Sequence, residues 1–263
     1  MKFKNLKPGI SLCMIVKNEE RSLARCIKSV KSLVDEIIIV DTGSNDNTIN
    51  IAKDLGAEIY NFEWCDDFSA ARNESIKYAN HQWILLLDAD EFVDENSITE
   101  LKKIIKNNKP PVAFEFRVLS DTGSQNPNES RVIRMFSNGF GILFKNRVHE
   151  QITSSIKEIS AQVLRTNSKI IHDGYNQEYV DQNEKQERNI SLLKQMIDEE
   201  PDFYYWPYNL GISYMAIGKN DLGIKYLKIS YHEKLHVNIK AAILNLLGGI
   251  YKTEEHWEEV KPV

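Results

Sequence analysis

This sequence of 263 residues has few cysteines, no long apolar run and no excess of basic residues. Its three cysteines, without a CxxC pair, are too few for a disulfide framework, which favours a reducing, cytoplasmic location. No stretch approaches the roughly 20 apolar residues of a membrane span, and the short run 10–16 is interpreted as a buried strand, not a signal peptide. The net charge of −5 argues against general nucleic-acid binding, which needs a basic surface. A hydrophobic content of 42% is sufficient for a globular protein of one or two domains.

The first part of the chain alternates short apolar runs with helical patterns. A further helix is predicted from Ser97, which has the spacing of a capping box with Glu100. This alternation predicts an α/β fold with a mainly parallel sheet and helices on both faces. Ligands of such sheets bind beyond the carboxyl ends of the strands. The predicted strands are 11–16, 36–40, 57–60 and 83–87.

The character of the pattern changes after residue 110, where apolar residues at 112, 114, 116 and 118 alternate with other residues as in a half-exposed strand, and the second half of the domain is more antiparallel in type. From about residue 179 onward the pattern is helical only. We therefore predict an α/β domain of residues 1–176, followed by an all-α region of residues 177–263. The later strands of the first domain are predicted at 112–118, 131–136, 141–148 and 169–172.

The helical region contains an internal repeat. Leu210-Gly211-x-x-Tyr214 recurs as Leu247-Gly248-x-x-Tyr251, and this is the pattern of the first helix of a tetratricopeptide repeat. The second copy is incomplete at Val263, which suggests a truncated array or a last helix that docks elsewhere. Exposed repeats at a chain end also favour a homodimer.

Acidic residues follow two of the predicted strands directly. Asp88-Ala89-Asp90 follows the fourth strand, and residues i and i+2 of an extended chain share a face, so both carboxylates can meet at one point. Such ligands suit Mg²⁺ or Mn²⁺ bridged to substrate phosphates, although the motif alone also fits a solvated loop. Asp41 follows the second strand and could accept hydrogen bonds from a base or ribose, whereas Ser44 or Asp46 could simply cap the next helix.

Four motifs in this part of the chain resemble, in order and spacing, those of family-2 glycosyltransferases. The resemblance covers roughly the first 95 residues and implies a GT-A fold, a UDP-sugar donor, inverting transfer of a hexose, and Mn²⁺ or Mg²⁺ as cofactor. It implies that Val16 and Glu19 line the nucleotide pocket and that Asp41 contacts the uracil or ribose. It places Asp88, Ala89 and Asp90 at the diphosphate and the metal. The motifs are SLCMIVKNEE at 11–20, VDTGSNDNT at 40–48, FSAARN at 68–73 and LDADE at 87–91.

Two arginines are further candidates for donor binding. Arg72 could reach the diphosphate or pair with Asp88, and a helix-surface salt bridge is the alternative. Arg134 could bind a phosphate through two guanidinium nitrogens, or form an internal ion pair.

The second half departs from the commonest family pattern, because no Glu-Asp pair that would supply the acceptor base follows Asp90. Glu150 or His149 could serve as the single base that an inverting enzyme needs, and a strand-end salt bridge and a packed ring are the alternatives. His172 could complete the metal site with Asp90, as a late histidine does in several enzymes that this chain resembles, or could cap a turn.

The later motifs, combined with repeats, resemble those of glycosyltransferases that modify cysteine or serine of bacteriocin peptides. They imply a peptide or protein acceptor, and a cysteine thiol that is already partly ionised would need only a weak base. A cell-surface glycan or lipid acceptor and a catalytically silent peptide-binding scaffold are the alternatives. A nucleotidyltransferase or a phosphatase is disfavoured, because the sequence lacks their phosphate loop and threonine signals. The motifs are RMF at 134–136, VHE at 148–150 and HDGY at 172–175.

Overall fold

The computed structural model describes residues 5–120, 128–172 and 182–253. The chain divides into two units, Met1–Val180 and Asp181–Val263. The boundary predicted at residues 176 and 177 lies outside the described residues, as do residues 173–175 of the predicted HDGY motif.

The described part of the first unit is built on one mixed sheet. Its strands are β1 (Lys7–Val16), β2 (Glu36–Asp41), β3 (Glu58–Asn61), β4 (His81–Leu86), β5 (Glu91–Val93), β6 (Val112–Ser120), β7 (Asn128–Ser137) and β8 (Gln162–His172). They lie in the order β3-β2-β1-β4-β7-β6-β8-β5. The strands β3, β2, β1 and β4 are parallel to one another. In contrast, β7 is antiparallel to both β4 and β6, and β5 is antiparallel to β8. The strand β6 is parallel to β8. The predicted change from parallel to more antiparallel pairing is therefore confirmed.

Five helices accompany the sheet in the described residues of this unit: α1 (Leu23–Val30), α2 (Thr48–Asp54), α3 (Phe68–Tyr78), α4 (Glu95–Asn107) and α5 (Thr153–Glu158). Side chains alternate between the two faces of each strand. Leu12 of β1 packs in one buried cluster with residues of α1, α2 and α4. Its neighbour Cys13 packs in a second cluster with residues of α3 and α5. The sheet thus has helices on both faces, as the sequence pattern predicts.

The prediction of a strand at 141–148 is wrong. Residues 141–150 form an irregular loop, in which Lys145 makes a single antiparallel bridge to Gln151. Positive φ angles at Gly141 (81°), Asn146 (82°) and His149 (53°) are incompatible with a continuous strand. The apolar run Ile142-Leu143-Phe144 is typical of a strand, but here it places Ile142 in the core cluster beside α5.

The capping box predicted at Ser97 and Glu100 is also wrong, because α4 begins at Glu95. The Ser97 hydroxyl instead accepts the Lys169 N–H at 2.8 Å. The Glu100 carboxylate accepts hydrogen bonds from the Asn167 N–H and the Ser168 hydroxyl. Both side chains therefore hold α4 on β8, which is longer than the predicted strand 169–172.

A polar cluster closes the sheet at the end where β2 and β4 begin. The buried carboxylate of Glu36 accepts hydrogen bonds from the Ser11 hydroxyl at 2.5 Å and from the N–H and side-chain amide of Asn80 at 2.8 and 2.7 Å. Burial opposes ionisation, but these hydrogen bonds outweigh it and lower the pKa of Glu36.

The second unit is helical throughout its described residues, with α6 (Gln182–Glu199), α7 (Tyr205–Ala216), α8 (Asn220–Ser230) and α9 (Val237–Thr253). Helices α7 and α8 approach closely at two glycines. A Cβ on Gly211 would lie 2.9 Å from Leu227 Cγ and 3.0 Å from the Gly223 carbonyl oxygen. This paired-helix geometry agrees with the all-α prediction, while a tetratricopeptide array and a homodimer stay predictions. No helix in the described ranges is long and apolar enough to cross a bilayer.

Candidate active site

Two loops at the carboxyl ends of β1 and β2 are joined by reciprocal hydrogen bonds, and we call residues 17–20 and 42–48 the paired loops. The Asn18 N–H donates to the Ser44 hydroxyl at 2.9 Å, and the Asn18 side chain accepts the Asn45 N–H at 2.9 Å. The Glu19 N–H donates to the Thr48 hydroxyl at 2.6 Å. Asn18 has a positive φ of 57°. The paired loops thus form one continuous surface at the strand ends.

Val16 and Asp41 lie side by side at the base of this surface, as the last register pair of β1 and β2. The Asp41 carboxylate is buried and accepts the N–H groups of Gly43 and Ser44 at 3.1 Å. Asp46 accepts the Thr48 N–H at 2.9 Å where α2 begins. Asp46 therefore serves the start of a helix, while Asp41 orders the turn that follows its strand.

A cluster of buried charges lies at the end of β4. Arg72 donates from Nη2 to Asp88 Oδ1 at 2.8 Å and from Nε to Glu150 Oε1 at 2.6 Å. Arg134 donates to Asp88 Oδ2 at 3.2 Å and also contacts Glu91 Oε1. The structure thus brings together Arg72, Asp88, Arg134 and Glu150 from four separate segments of the chain.

The charge on Asp88 is held by its two arginine partners. Burial disfavours the charged carboxylate, but the guanidinium groups of Arg72 and Arg134 outweigh it and hold the pKa of Asp88 well below its usual range. Both Asp88 oxygens are engaged by guanidinium groups, and the Ala89 side chain is buried in the core. Among the described residues, Arg134 Nε has no hydrogen-bond partner although it is buried.

Asp90 has different partners from Asp88. Its Oδ2 lies 3.1 Å from His172 Nε2, and this contact raises the pKa of His172. The Ser120 hydroxyl lies 3.4 Å from the other ring nitrogen of His172. Glu19 belongs to the same electrostatic environment: burial raises its pKa, with the Asp90 and Asp88 carboxylates adding to the rise and a hydrogen bond from the Ser22 hydroxyl opposing it.

An oxygen and an imidazole nitrogen so placed fit a divalent cation that takes its remaining ligands from phosphates and water. In the residues that the structure describes, no three histidine, cysteine or acidic side chains form a complete metal cage. Mg²⁺ sites that also bind substrate phosphates commonly use one or two carboxylates instead of such a cage.

The loop that carries His149 and Glu150 is attached to α3. The Asn73 side chain donates to the Phe144 carbonyl at 3.0 Å and accepts the Phe144 N–H at 2.8 Å. The Ser69 hydroxyl donates to the Asn146 carbonyl at 2.5 Å. His149 itself is exposed, whereas the Glu150 side chain is only 15% exposed and pairs with Arg72.

Sequence reasoning missed two residues of this site. Glu91 is 2% exposed, and besides contacting Arg134 it accepts the Asp88 N–H at 3.0 Å. A third acid directly after Asp-x-Asp was the available signal, but the strand that buries it is only three residues long. Asn73 stood inside a quoted motif, but no pattern in the sequence indicates that it binds a loop more than 70 residues away.

The mixed α/β sheet, with its acidic residues at strand ends, has a GT-A-like fold. A sequence model described as Glycosyl transferase family 2 matches residues 11–172, and the chain belongs to this family.

The comparisons also identify relatives. The chain is 37% identical over 209 residues to a TPR repeat-containing protein of Synechococcus elongatus, covering 77% of this chain and 51% of that protein. It is 30% identical over 252 residues to the SPbeta prophage-derived glycosyltransferase SunS of Bacillus subtilis, covering 93% and 58%. The chain thus spans little more than half the length of these two relatives.

The fold is shared with a solved structure. The crystal structure of S. aureus TarS superposes with a TM-score of 0.54 at 13% identity, covering 96% of this chain and 54% of that one. At this identity the match shows the fold alone.

Proposed function

We propose that the chain transfers a hexose from a UDP-sugar to an acceptor with inversion. The observation that carries the proposal is the contact between Asp90 and His172 beside the cluster of Arg72, Asp88 and Arg134. Asp90 and His172 form a pair that can bind a cation, and Arg72 of α3 and Arg134 of β7 contact the neighbouring Asp88. Together they offer the positive charge that a nucleoside diphosphate needs. The diphosphate is also the leaving group, so the same charges can stabilise it as it departs.

The nucleoside end of the donor would lie on the paired loops. Asp41 and Val16 meet there at the ends of β1 and β2, and Glu19 of the paired loops is close enough to Asp88 and Asp90 for their charges to raise its pKa further. We assign uracil or ribose binding to Asp41, with Val16 and Glu19 as the pocket wall. The Ala89 side chain is buried, so only its backbone could face the donor.

Asp90 and His172 would hold Mn²⁺ or Mg²⁺, and the bound cation would supply charge stabilisation at the diphosphate. Asp88 has a separate task in this proposal: its carboxylate keeps Arg72 and Arg134 in place through one oxygen each. The two acids of the Asp-x-Asp motif are therefore not equivalent, and their replacement should have different consequences.

Glu150 is the residue that we assign as the acceptor base. It belongs to the charge cluster through Arg72, whereas His149 is exposed. The resemblance of the later motifs to peptide-modifying glycosyltransferases supports a cysteine or serine of a peptide as acceptor. The helices of the second unit would then help to bind that peptide.

Release of UDP tests the proposal. The chain is incubated with UDP-glucose, UDP-N-acetylglucosamine and UDP-galactose, with Mn²⁺ and then with EDTA. We expect release from one donor with Mn²⁺ only, and a loss of about 10- to 100-fold in Asp90→Asn, since a metal-binding carboxylate becomes a neutral amide. The matched control is Asp54→Asn at the exposed end of α2, which should behave as wild type.

Two outcomes would contradict the proposal. Full activity of Asp90→Asn in the presence of Mn²⁺ would show that a metal bound by Asp90 is not needed for transfer. Absence of both UDP release and binding of any UDP-sugar would favour a catalytically silent peptide-binding scaffold.

A further inference from the structure

Helix α3 holds the loop that contains the proposed base through several contacts on successive turns. The Phe68 N–H donates to the Arg147 carbonyl at 2.8 Å, and the Ser69 hydroxyl donates to the Asn146 carbonyl at 2.5 Å. One turn further along, Asn73 makes two hydrogen bonds to the backbone of Phe144. Phe144, Asn146 and Arg147 are therefore attached to a regular helix, while Lys145 between them pairs with Gln151.

These contacts occur where the loop backbone is least able to hold its own shape. Asn146 and His149 have φ angles of 82° and 53°, a region that few residues with a side chain adopt, although asparagine and histidine adopt it more often than most. Such conformations persist only where the surroundings enforce them. The hydrogen bonds from α3 to Phe144, Asn146 and Arg147 contribute to this, together with the two backbone hydrogen bonds between Lys145 and Gln151.

The same helix also carries Arg72, which contacts the loop from the other side. The Arg72 guanidinium carbon lies 5.6 Å from the centre of the Phe144 ring, and Nε reaches Glu150 at 2.6 Å. Arg72 and Asn73 are adjacent on α3, so one helix orients both the Glu150 carboxylate and the backbone leading to it. A displaced loop would move Glu150 away from Arg72 and Asp88.

We propose that Asn73, assisted by Ser69, is a positioning residue that sets the location of Glu150 without touching substrate. This inference rests on the proposed function, because it takes Glu150 as the base. The Asn73 amide is engaged at both ends by Phe144, so it acts through the loop. The donor-binding residues Asp41, Asp90 and His172 make no described contact with Asn73, and their geometry should survive its replacement.

The test compares catalysis with donor binding in Asn73→Ala. We expect kcat for UDP release to fall about 10- to 100-fold, since a displacement of the order of 1 Å can have this effect. The Kd for UDP in the presence of Mn²⁺ should stay within about twofold of wild type. Hydrogen exchange of the amides of residues 144–150 should become faster. Ser69→Ala removes one hydrogen bond and should lower kcat by a smaller factor, again with the Kd for UDP unchanged. This second variant keeps the test available if Asn73→Ala does not fold.

The matched control is Asn138→Ala at the opposite end of β4. Asn138 is buried and its side-chain amide donates to the carbonyls of Ala79 and His81, so it also holds backbone in place. We expect this variant to lose stability but to keep the kcat of wild type.

Two results would overturn the inference: an unchanged kcat in Asn73→Ala despite faster exchange of the loop, or an equal loss of kcat and UDP affinity. The latter would indicate general damage to the fold. Failure of wild-type protein to release or bind UDP would refute the proposed function itself, and this is seen before any variant is compared.

Discussion

The two copies of the Leu-Gly-x-x-Tyr motif should respond oppositely to the same substitution. Gly211 lies in α7 against α8, whereas a Cβ on Gly248 in α9 would meet no described atom within 4 Å. Alanine in place of a helical glycine stabilises a helix by about 1 kcal/mol. Gly248→Ala should therefore raise the free energy of unfolding by up to about 1 kcal/mol.

At Gly211 this gain is outweighed by a clash. The new methyl group would lie 2.9 Å from Leu227 Cγ, whereas carbon atoms pack at about 3.5–4.0 Å. The Gly223 carbonyl at 3.0 Å is backbone and can move only if α8 moves. Overpacking of this kind costs about 1–3 kcal/mol. The net effect of Gly211→Ala is a destabilisation of up to about 2 kcal/mol.

Hydrogen exchange followed by mass spectrometry measures the helical unit separately from the sheet. A loss of 1–2 kcal/mol corresponds to about 5- to 30-fold faster exchange of protected amides in α7 and α8 for Gly211→Ala. Gly248→Ala should slow exchange in α9. If both variants slow exchange alike, the close approach of α7 and α8 at Gly211 is refuted.

Three further predictions concern the first unit. Replacement of Glu36 by glutamine should make the free energy of unfolding fall less steeply at acid pH. The lowered pKa of Glu36 stabilises the folded protein above pH 4.5, and this stabilisation is lost as the pH falls through the folded-state pKa. Urea unfolding between pH 7 and 3 measures the effect, and a pH dependence parallel to that of wild type would contradict it. Arg134→Met should lower the free energy of unfolding by about 3–5 kcal/mol, because the 2% exposed Glu91 loses its counter-ion. Adding Glu91→Gln to this variant should restore most of the lost stability. Urea unfolding of wild type, the two single variants and the double variant tests this, and additive losses would refute the pairing. Mn²⁺ should raise the melting temperature of wild type, but not of Asp90→Asn or His172→Gln, in a thermal shift assay; equal shifts in all three would place the ion elsewhere.

The sequence predicted the fold where the hydrophobic periodicity was long. The continuous apolar runs of β1, β2 and β4 indicated buried parallel strands, and the alternation at β6 indicated the change in strand direction. The strand β5 was missed because three residues have no measurable period. The loop 141–148 was mistaken for a strand because it contains the apolar run Ile142-Leu143-Phe144, whereas side chains of α3 bond to the backbone of Phe144 and Asn146.

The candidate site was predicted unevenly for a related reason. Pairing with Asp88 was one of the roles that the sequence left open for Arg72, and the structure shows this contact at 2.8 Å. The resemblance also suggested His172 as a partner of Asp90, and the two lie 3.1 Å apart, whereas nothing in the sequence indicated that Arg134 binds Asp88. Side-chain contacts of this kind depend on which strands become neighbours, and local pattern does not contain that information.

The paired loops have a consequence for the timing of ligand capture. Residues 17–20 and 42–48 already hydrogen-bond to each other through side-chain and backbone groups, so this surface is ordered when the protein folds. A ligand that lands there meets a rigid template, and no loop-ordering entropy is lost at the moment of encounter. Association at this surface should then be limited by diffusion and orientation, not by a slower conformational step.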